Sequence, residues 1–151
     1  MLQIAVQQEY GHSANKVWAI TGEFGGLKNW LPGIDACRVE GHGAADKGGN
    51  AVRIVDVFDG SVTKERLESF DAVNHTYSYS IIEAKGLDAS NEYYATFTVT
   101  PLGDNRCRVD WSARFKLPVS VLPEKAERAK QKIAQMYTMC LQNLQAVLAR
   151  G

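Results

Sequence analysis

The chain has 151 residues, of which 45% are hydrophobic and 23% charged, as expected for a single globular domain. Its 17 basic and 17 acidic residues cancel to zero formal net charge, so the composition does not favour a surface that follows nucleic-acid phosphates. No stretch approaches the roughly 18 apolar residues that cross a membrane, and the first residues lack the features of a signal peptide. We therefore expect one cytoplasmic domain over residues 1–151, with no nucleic-acid partner and no stable membrane insertion.

The N-terminal part is predicted to form one strand and two short helices. Apolar residues alternate with polar ones over residues 2–6, which is the pattern of a half-buried strand. Ser13 is a favourable N-cap for a short helix that follows the strand. The run 24–33 predicts a second short helix, which Pro32 and Gly33 would end.

From residue 34 to residue 115 the apolar period changes to two, which predicts six further strands. Short intervals with turn residues separate these strands, so neighbours are expected to pair antiparallel rather than through crossover helices. The predicted strands lie at about 34–40, 50–58 and 62–70, and around the apolar faces at 77–81, 93–99 and 109–115.

The C-terminal part, from about Glu124, has the spacing of one long amphipathic helix. About 25 residues at roughly 1.5 Å each would cross a whole small sheet. A strongly curved sheet leaves space that one helix does not fill, which predicts a cavity between them. The apolar positions of this helix are Ala126, Ala129, Ile133, Met136 or Tyr137, Cys140, Leu144, and Val147 or Leu148.

The order of elements resembles that of the START-related helix-grip superfamily, which includes polyketide cyclases and dehydratases, lipid-transport-like proteins and the major birch-pollen-allergen proteins. The resemblance implies an α+β fold in which a curved antiparallel sheet of about seven strands, with two short helices after the first, wraps round a long C-terminal helix. It implies one ligand-binding domain over residues 1–151. The runs that carry it are 13–18, 24–27 and 30–32, and a central hairpin similar to that of plant abscisic-acid receptors at 63–68, Asp71 and 79–82.

The resemblance also assigns two loops that close over the ligand in those receptors. The gate corresponds to residues 57–61 and lacks the receptors' proline-containing sequence. The latch corresponds to residues 85–89 and lacks their His-Arg-Leu run, and Leu31 stands in place of their carboxylate-binding lysine. These departures argue against abscisic acid as the ligand. The gate and latch residues that we assign are Asp59, Gly60, Gly86 and Leu87.

Aromatic residues on the predicted inward faces are the strongest functional cue, because aromatic walls with polar tips suit an apolar ligand carrying a few polar groups. The alternative is that these side chains simply fill the core. On the helix, Ile133, Met136 and Cys140 would form the lid. The residues that we predict to contact the ligand are Arg53, Val57, Glu65, Leu67, Tyr77, Tyr79, Ile81, Tyr93, Ala95, Phe97, Trp111, Ala113, Met136 and Cys140.

Arg53 and Glu65 are the charged residues that the resemblance places on inward faces. A buried charge is costly unless it is paired, so the two either form a structural salt bridge or line the cavity and bind a ligand or its waters. A register slip would instead place both on the solvent face. If the protein is an enzyme, Glu65 is the best candidate for a general base.

Three functions remain open from the sequence. The first is a carrier or sensor of an apolar, lipid-like, aromatic or polyketide-like molecule, acting as a monomer or weak homodimer. The second is a cyclase or dehydratase of polyketide-like compounds, and the third is a protein-interaction module using Tyr94 and Ile82 on the convex face. No cofactor or metal is expected, because the three cysteines fit no zinc spacing and the three histidines are scattered.

Overall fold

A computed structural model describes residues 1–85, 92–118 and 120–151. Within these residues seven strands form one antiparallel sheet, and a long helix ends the chain. The predicted helix-grip fold is therefore confirmed. The strands are β1 (Leu2–Tyr10), β2 (Ile34–Glu40), β3 (Val52–Val57), β4 (Val62–Asp71), β5 (Thr76–Glu83), β6 (Tyr93–Gly103) and β7 (Arg106–Phe115), and the helices are α1 (Ala14–Thr21) and α2 (Pro123–Arg150).

The strand order across the sheet is β1-β7-β6-β5-β4-β3-β2, so the first strand joins the last one. The register places side chains in rows across the sheet, because residues that pair directly point to the same face. One inner row runs from Val6 through Trp111 and Phe97 to Tyr77. The alternation in the sequence is thus converted into an aromatic inner face.

The first predicted helix forms as expected, and its N-cap is Ser13, whose Oγ accepts a hydrogen bond from the Lys16 amide at 3.1 Å. The second is shorter than predicted, since the run 24–33 contains only one 3-10 turn, at Leu27–Asn29. Glycines before this turn and Pro32 after it keep the helix from extending in either direction. A further 3-10 turn at Ala45–Lys47 was not predicted.

Helix α2 packs its second half into the concave face of the sheet and leaves its first half largely exposed. Its buried residues are Tyr137, Cys140, Leu141, Leu144 and Leu148. The Tyr10 hydroxyl donates to the Leu141 carbonyl at 2.7 Å, which ties the end of β1 to the helix. No helix in the described part of the chain is long and apolar enough to cross a membrane.

Candidate ligand-binding site

A cavity of about 90 Å³ lies where the inner face of the sheet meets the middle of α2. One end is closed by Trp30 and Arg53, each only 1% exposed. Met136 also lines the cavity although it is 48% exposed, and two further lining residues, Leu31 and Ile81, are partly exposed. The lining residues are Leu27, Trp30, Leu31, Arg53, Glu65, Tyr77, Tyr79, Ile81, Tyr93, Trp111, Met136, Tyr137 and Cys140.

The structure brings most of the sequence-predicted ligand contacts together round this cavity. Those that line it are Arg53, Glu65, Tyr77, Tyr79, Ile81, Tyr93, Trp111, Met136 and Cys140. Five others belong to the buried or partly buried core without lining the cavity, namely Val57, Leu67, Ala95, Phe97 and Ala113. Ile133 is partly buried on α2 and also lies outside the lining. Four lining residues were not in the predicted set, namely Leu27, Trp30, Leu31 and Tyr137.

The missed residues have two different causes. Tyr137 was an alternative to Met136 at one position of the helical stripe, and in the structure both side chains reach the cavity. Its spacing of three to Cys140 was the signal that pointed to it. Trp30 and its neighbours lie in an irregular segment, where no periodicity shows which side chains turn inward.

Arg53 and Glu65 form a buried ion pair at the closed side of the cavity. They pair directly across β3 and β4, which places both side chains on the inner face. Arg53 Nε donates to Glu65 Oε1 at 2.6 Å, and its Nη1 donates to the Phe24 carbonyl at 3.1 Å. The structure thus has the salt bridge, and the paired residues also line the cavity, where binding of a ligand by them stays a prediction.

The Arg53 guanidinium lies among aromatic rings, 4.4 Å from the centre of Phe24 and 4.6 Å from that of Tyr79. Such contacts attract a cation through the ring quadrupole and hold its plane in place. Burial alone would lower the pKa of Arg53, but Glu65 and the neighbouring tyrosines outweigh burial and raise that pKa. The guanidinium is therefore always charged, and two of its nitrogens donate to Glu65 and to the Phe24 carbonyl.

Tyrosine hydroxyls supply the other polar atoms of the lining. Tyr93 and Tyr137 hydrogen-bond to each other, and Trp111 Nε1 donates to the Tyr79 hydroxyl at 3.2 Å. Burial raises the pKa of all three tyrosines, and the Glu65 charge adds to the effect at Tyr79. At neutral pH these hydroxyls stay protonated, so they can donate hydrogen bonds but cannot serve as bases.

Trp30 is held rigidly but leaves one polar atom unpaired. Its ring packs against Phe97 and Trp111 at centroid distances of 5.5 and 5.7 Å, and its carbonyl accepts from Asn143 Nδ2 at 2.7 Å. No acceptor in residues 1–85, 92–118 or 120–151 pairs with its Nε1–H. A buried donor left without a partner costs about 1–3 kcal/mol, so this atom needs an explanation.

The cysteines offer no nucleophile to this site. Cys140 lines the cavity, but burial raises the pKa of its thiol to about 11, and the neutral thiol is a poor nucleophile. Burial also raises the pKa of Cys37 and of Cys107. The described residues contain no cluster of three or more His, Cys, Asp or Glu side chains that could hold a metal ion.

The predicted gate is a tight turn between β3 and β4. Gly60 has φ of +86°, a conformation that glycine adopts without strain, and its amide donates to the Val57 carbonyl at 2.9 Å. Asp59 Oδ1 accepts from the Ser61 hydroxyl and amide, and these hydrogen bonds lower the pKa of the Asp59 carboxyl. The two latch residues, Gly86 and Leu87, lie outside the described residues.

A second, larger depression of about 670 Å³ lies on the opposite face of the sheet. It is open to solvent and lined by a mixture of polar and apolar side chains, and the Arg114 guanidinium covers the Tyr94 ring at 4.7 Å on one side. Ligand sites are typically enclosed and largely apolar, so the small inner cavity is the better candidate despite its size. The outer-face residues in its lining are Gln3, Ala5, Glu68, Ser78, Tyr94, Thr96, Ser112 and Arg114.

A comparison with protein families decides where this fold and cavity belong. The model of the family described as "Polyketide cyclase / dehydrase and lipid transport" matches residues 1–149. The chain belongs to this family. The resemblance to the START-related helix-grip superfamily is thereby confirmed.

Proteins of known structure share the fold over almost the whole chain. An uncharacterized protein from Bacillus thuringiensis is 30% identical, with a TM-score of 0.81 over 98% of this chain and 99% of that one. Norcoclaurine synthase from Thalictrum flavum, in complex with dopamine and hydroxybenzaldehyde, is 21% identical, with a TM-score of 0.70 over 99% of this chain and 87% of that one. At that identity the likeness shows the fold alone.

A curated relative matches over a shorter region. Major strawberry allergen Fra a 1-E from Fragaria ananassa is 28% identical over 100 residues. The match covers 62% of this chain and 62% of the allergen, which is less than two thirds of either length. The relatives thus establish a ligand-binding fold, within a family that includes cyclases, and leave the ligand to be argued from the site itself.

Proposed function

We propose that this single domain binds a small, largely apolar molecule in the inner cavity and acts as its carrier or sensor. The observation that carries the proposal is the cavity itself, which is walled by aromatic rings and has the flexible, partly exposed side chain of Met136 in its lining. Methionine adapts its shape at low cost, which suits a residue that must move to admit a ligand. A cytoplasmic location and a monomeric or weakly dimeric state remain predictions.

The volume of the cavity limits what it holds in this conformation. About 90 Å³ corresponds to roughly three water molecules, whereas drug-sized ligands occupy pockets of about 300–1,000 Å³. A larger ligand therefore requires movement, and the first half of α2 is the element that can move at least cost. It contributes no buried residue before Tyr137, so displacing it uncovers little core.

Native mass spectrometry of the purified protein tests the proposal first, because a bound apolar ligand travels with the protein. Titration with the neutral dye N-phenyl-1-naphthylamine then measures binding in wild type, Met136→Ala and Met139→Ala. Met136 lines the cavity, whereas Met139 is 55% exposed and does not line it, so the second variant is a matched control on the same helix.

We expect Met136→Ala to widen the mouth and change dye affinity several-fold, whereas Met139→Ala leaves the affinity unchanged. Any ligand retained from the cell should compete with the dye. The proposal is contradicted if wild type binds no dye and retains no ligand. Equal effects of the two substitutions would place the dye elsewhere on the molecule, which also contradicts it.

A second candidate function, a cyclase or dehydratase, is favoured by the position of Glu65. Its carboxylate lines the cavity together with the Tyr79 hydroxyl, so the two could remove a proton from a ligand and donate a hydrogen bond to its carbonyl. Cyclisation of a synthetic tri-β-ketone, followed by absorbance, tests this. Glu65→Gln should abolish turnover and spare dye binding, whereas equal rates in both proteins would exclude Glu65 from the chemistry.

A further inference from the structure

The indole of Trp30 has a hydrogen-bond donor that nothing in the described part of the chain satisfies. The residue lines the cavity at its closed end, and its ring is fixed by contacts with Phe97 and Trp111. A rigid, buried donor beside a cavity is already oriented before a ligand arrives, so it can bind an acceptor without a further cost of ordering.

The other indole that lines the cavity, that of Trp111, has a hydrogen-bond partner within the protein. Its Nε1 donates to the Tyr79 hydroxyl at 3.2 Å, and it lines the same space as Trp30. One indole donor is thus used within the protein, whereas the other is buried without a partner in the described residues.

We propose that Trp30 Nε1–H selects ligands that present a neutral hydrogen-bond acceptor at the closed end of the cavity. This inference rests on the proposed function and specifies the chemistry of its ligand. The ligand class is a small apolar molecule with one neutral oxygen acceptor, such as a ketone, aldehyde, ester or ether. An apolar molecule of the same shape without that atom leaves the donor unpaired and binds more weakly.

The acceptor must be neutral because the cavity has no spare positive charge. Arg53 is paired with Glu65 and also donates to the Phe24 carbonyl. An anionic group would therefore be buried beside Glu65 without a cation of its own, which is strongly unfavourable. Leu31, which lines the cavity, adds no charge either.

Two-dimensional ¹H–¹⁵N NMR observes this donor directly, because each of the three tryptophans gives a separate indole N–H signal. The probes are cyclohexanone and methylenecyclohexane, which share a ring and differ by an oxygen in place of a CH₂ group. We expect cyclohexanone to move the Trp30 indole proton downfield, as hydrogen bonding does, and methylenecyclohexane to leave it without that shift. Trp18, which packs on His75 outside the cavity, is the internal control.

Affinities of the two probes give a second readout. The ketone should bind about tenfold more tightly to wild type, the ratio that one net hydrogen bond provides. Trp30→Phe should remove this preference for the ketone. Trp111→Phe removes the same side-chain volume and should keep the preference. If Trp30→Phe does not fold, the signal of the wild-type indole decides the question by itself.

The outcomes separate this inference from the proposed function. If both probes bind with equal affinity and the Trp30 signal does not shift with the ketone, the cavity binds ligands but Trp30 does not select them. If the ketone shifts only the signals of the outer face, the proposed function fails and the inference fails with it. If neither probe binds to protein that does bind the dye in the inner cavity, the inference alone fails.

Discussion

Arg53 and Glu65 place two opposite charges inside an aromatic cavity, at a distance of 2.6 Å. Within a low-dielectric site each charge depends on the other, because the loss of one leaves the partner buried and uncompensated. The aromatic rings round the guanidinium fix its position but do not neutralise it. The pair therefore holds β3, β4 and the Phe24 segment in one arrangement.

The interdependence of this pair is testable by a double-mutant cycle. Glu65→Leu should lower the free energy of unfolding by about 3–5 kcal/mol, since it leaves the buried guanidinium without a counter-charge. Arg53→Met combined with Glu65→Leu should recover much of that loss, because no charge remains. Urea denaturation measures all the proteins. Additive effects of the single substitutions would show that the two residues do not interact in the folded state.

The buried thiol of Cys140 predicts a loss of stability in alkali. Its pKa is about 11 in the folded protein, against about 9 for a free thiol, so the unfolded chain releases its proton first as pH rises. Stability should therefore be unaffected below about pH 9 and decline between about pH 9 and 11, by about 2–3 kcal/mol.

Urea denaturation of wild type and Cys140→Ala from pH 8 to pH 11 isolates this contribution. The raised pKa of Tyr79 and Tyr137 adds a decline above about pH 10 that both proteins share. The stability difference between the two proteins should thus shrink with pH. A difference that stays constant over this range would contradict a raised thiol pKa.

At the residue scale, the sequence predicted which side chains of the strands and of α2 turn inward, but not those of the segment that contains Trp30. Alternation with period two predicted that Tyr77, Tyr79 and Trp111 lie on the inner face, because successive side chains of a strand point to opposite faces of the sheet. The orientation of Trp30 depends on how an irregular segment packs against the sheet. That packing is a tertiary property, so its unpaired N–H could not be predicted from neighbours in the sequence.

At the scale of elements, α2 divides into an anchored half and an exposed half. From Tyr137 onwards it buries five side chains against the sheet, whereas the turns before Tyr137 bury none. The periodicity of the sequence extends over both halves and so predicted one uniform amphipathic helix. Periodicity reports which side of a helix is apolar, but the depth of burial depends on how far the sheet extends beneath it.

Hydrogen exchange followed by mass spectrometry should resolve these two halves. Amides at 126–136 should exchange faster than those at 138–148, because local opening of the first half exposes little apolar surface. Saturation with N-phenyl-1-naphthylamine should slow exchange in the first half if it closes over the dye. Uniform protection along the helix would mean that α2 opens only with the whole domain, and the proposed route of entry would then be wrong.

At the scale of the whole molecule, the fold was predictable and the size of the cavity was not. The order of strands and helices was predicted from periodicity and turn residues, and the structure has the same order. Curvature of the sheet predicted free space, but Trp30 and Tyr137 fill much of it, and about 90 Å³ remains. The volume of a cavity is the small difference between the space that the sheet and helix enclose and the volume of the side chains that fill it. It therefore depends on side-chain packing, which no pattern in the sequence encodes.

The central claim is that this domain binds its ligand between the sheet and α2. A crystal structure of the protein saturated with N-phenyl-1-naphthylamine tests it most directly. We predict the dye in an enlarged inner cavity against Tyr79 and Trp111, with Met136 and the first half of α2 displaced outwards. Dye in the depression between Ser78 and Ser112 on the opposite face, with the inner cavity unchanged, would contradict the claim.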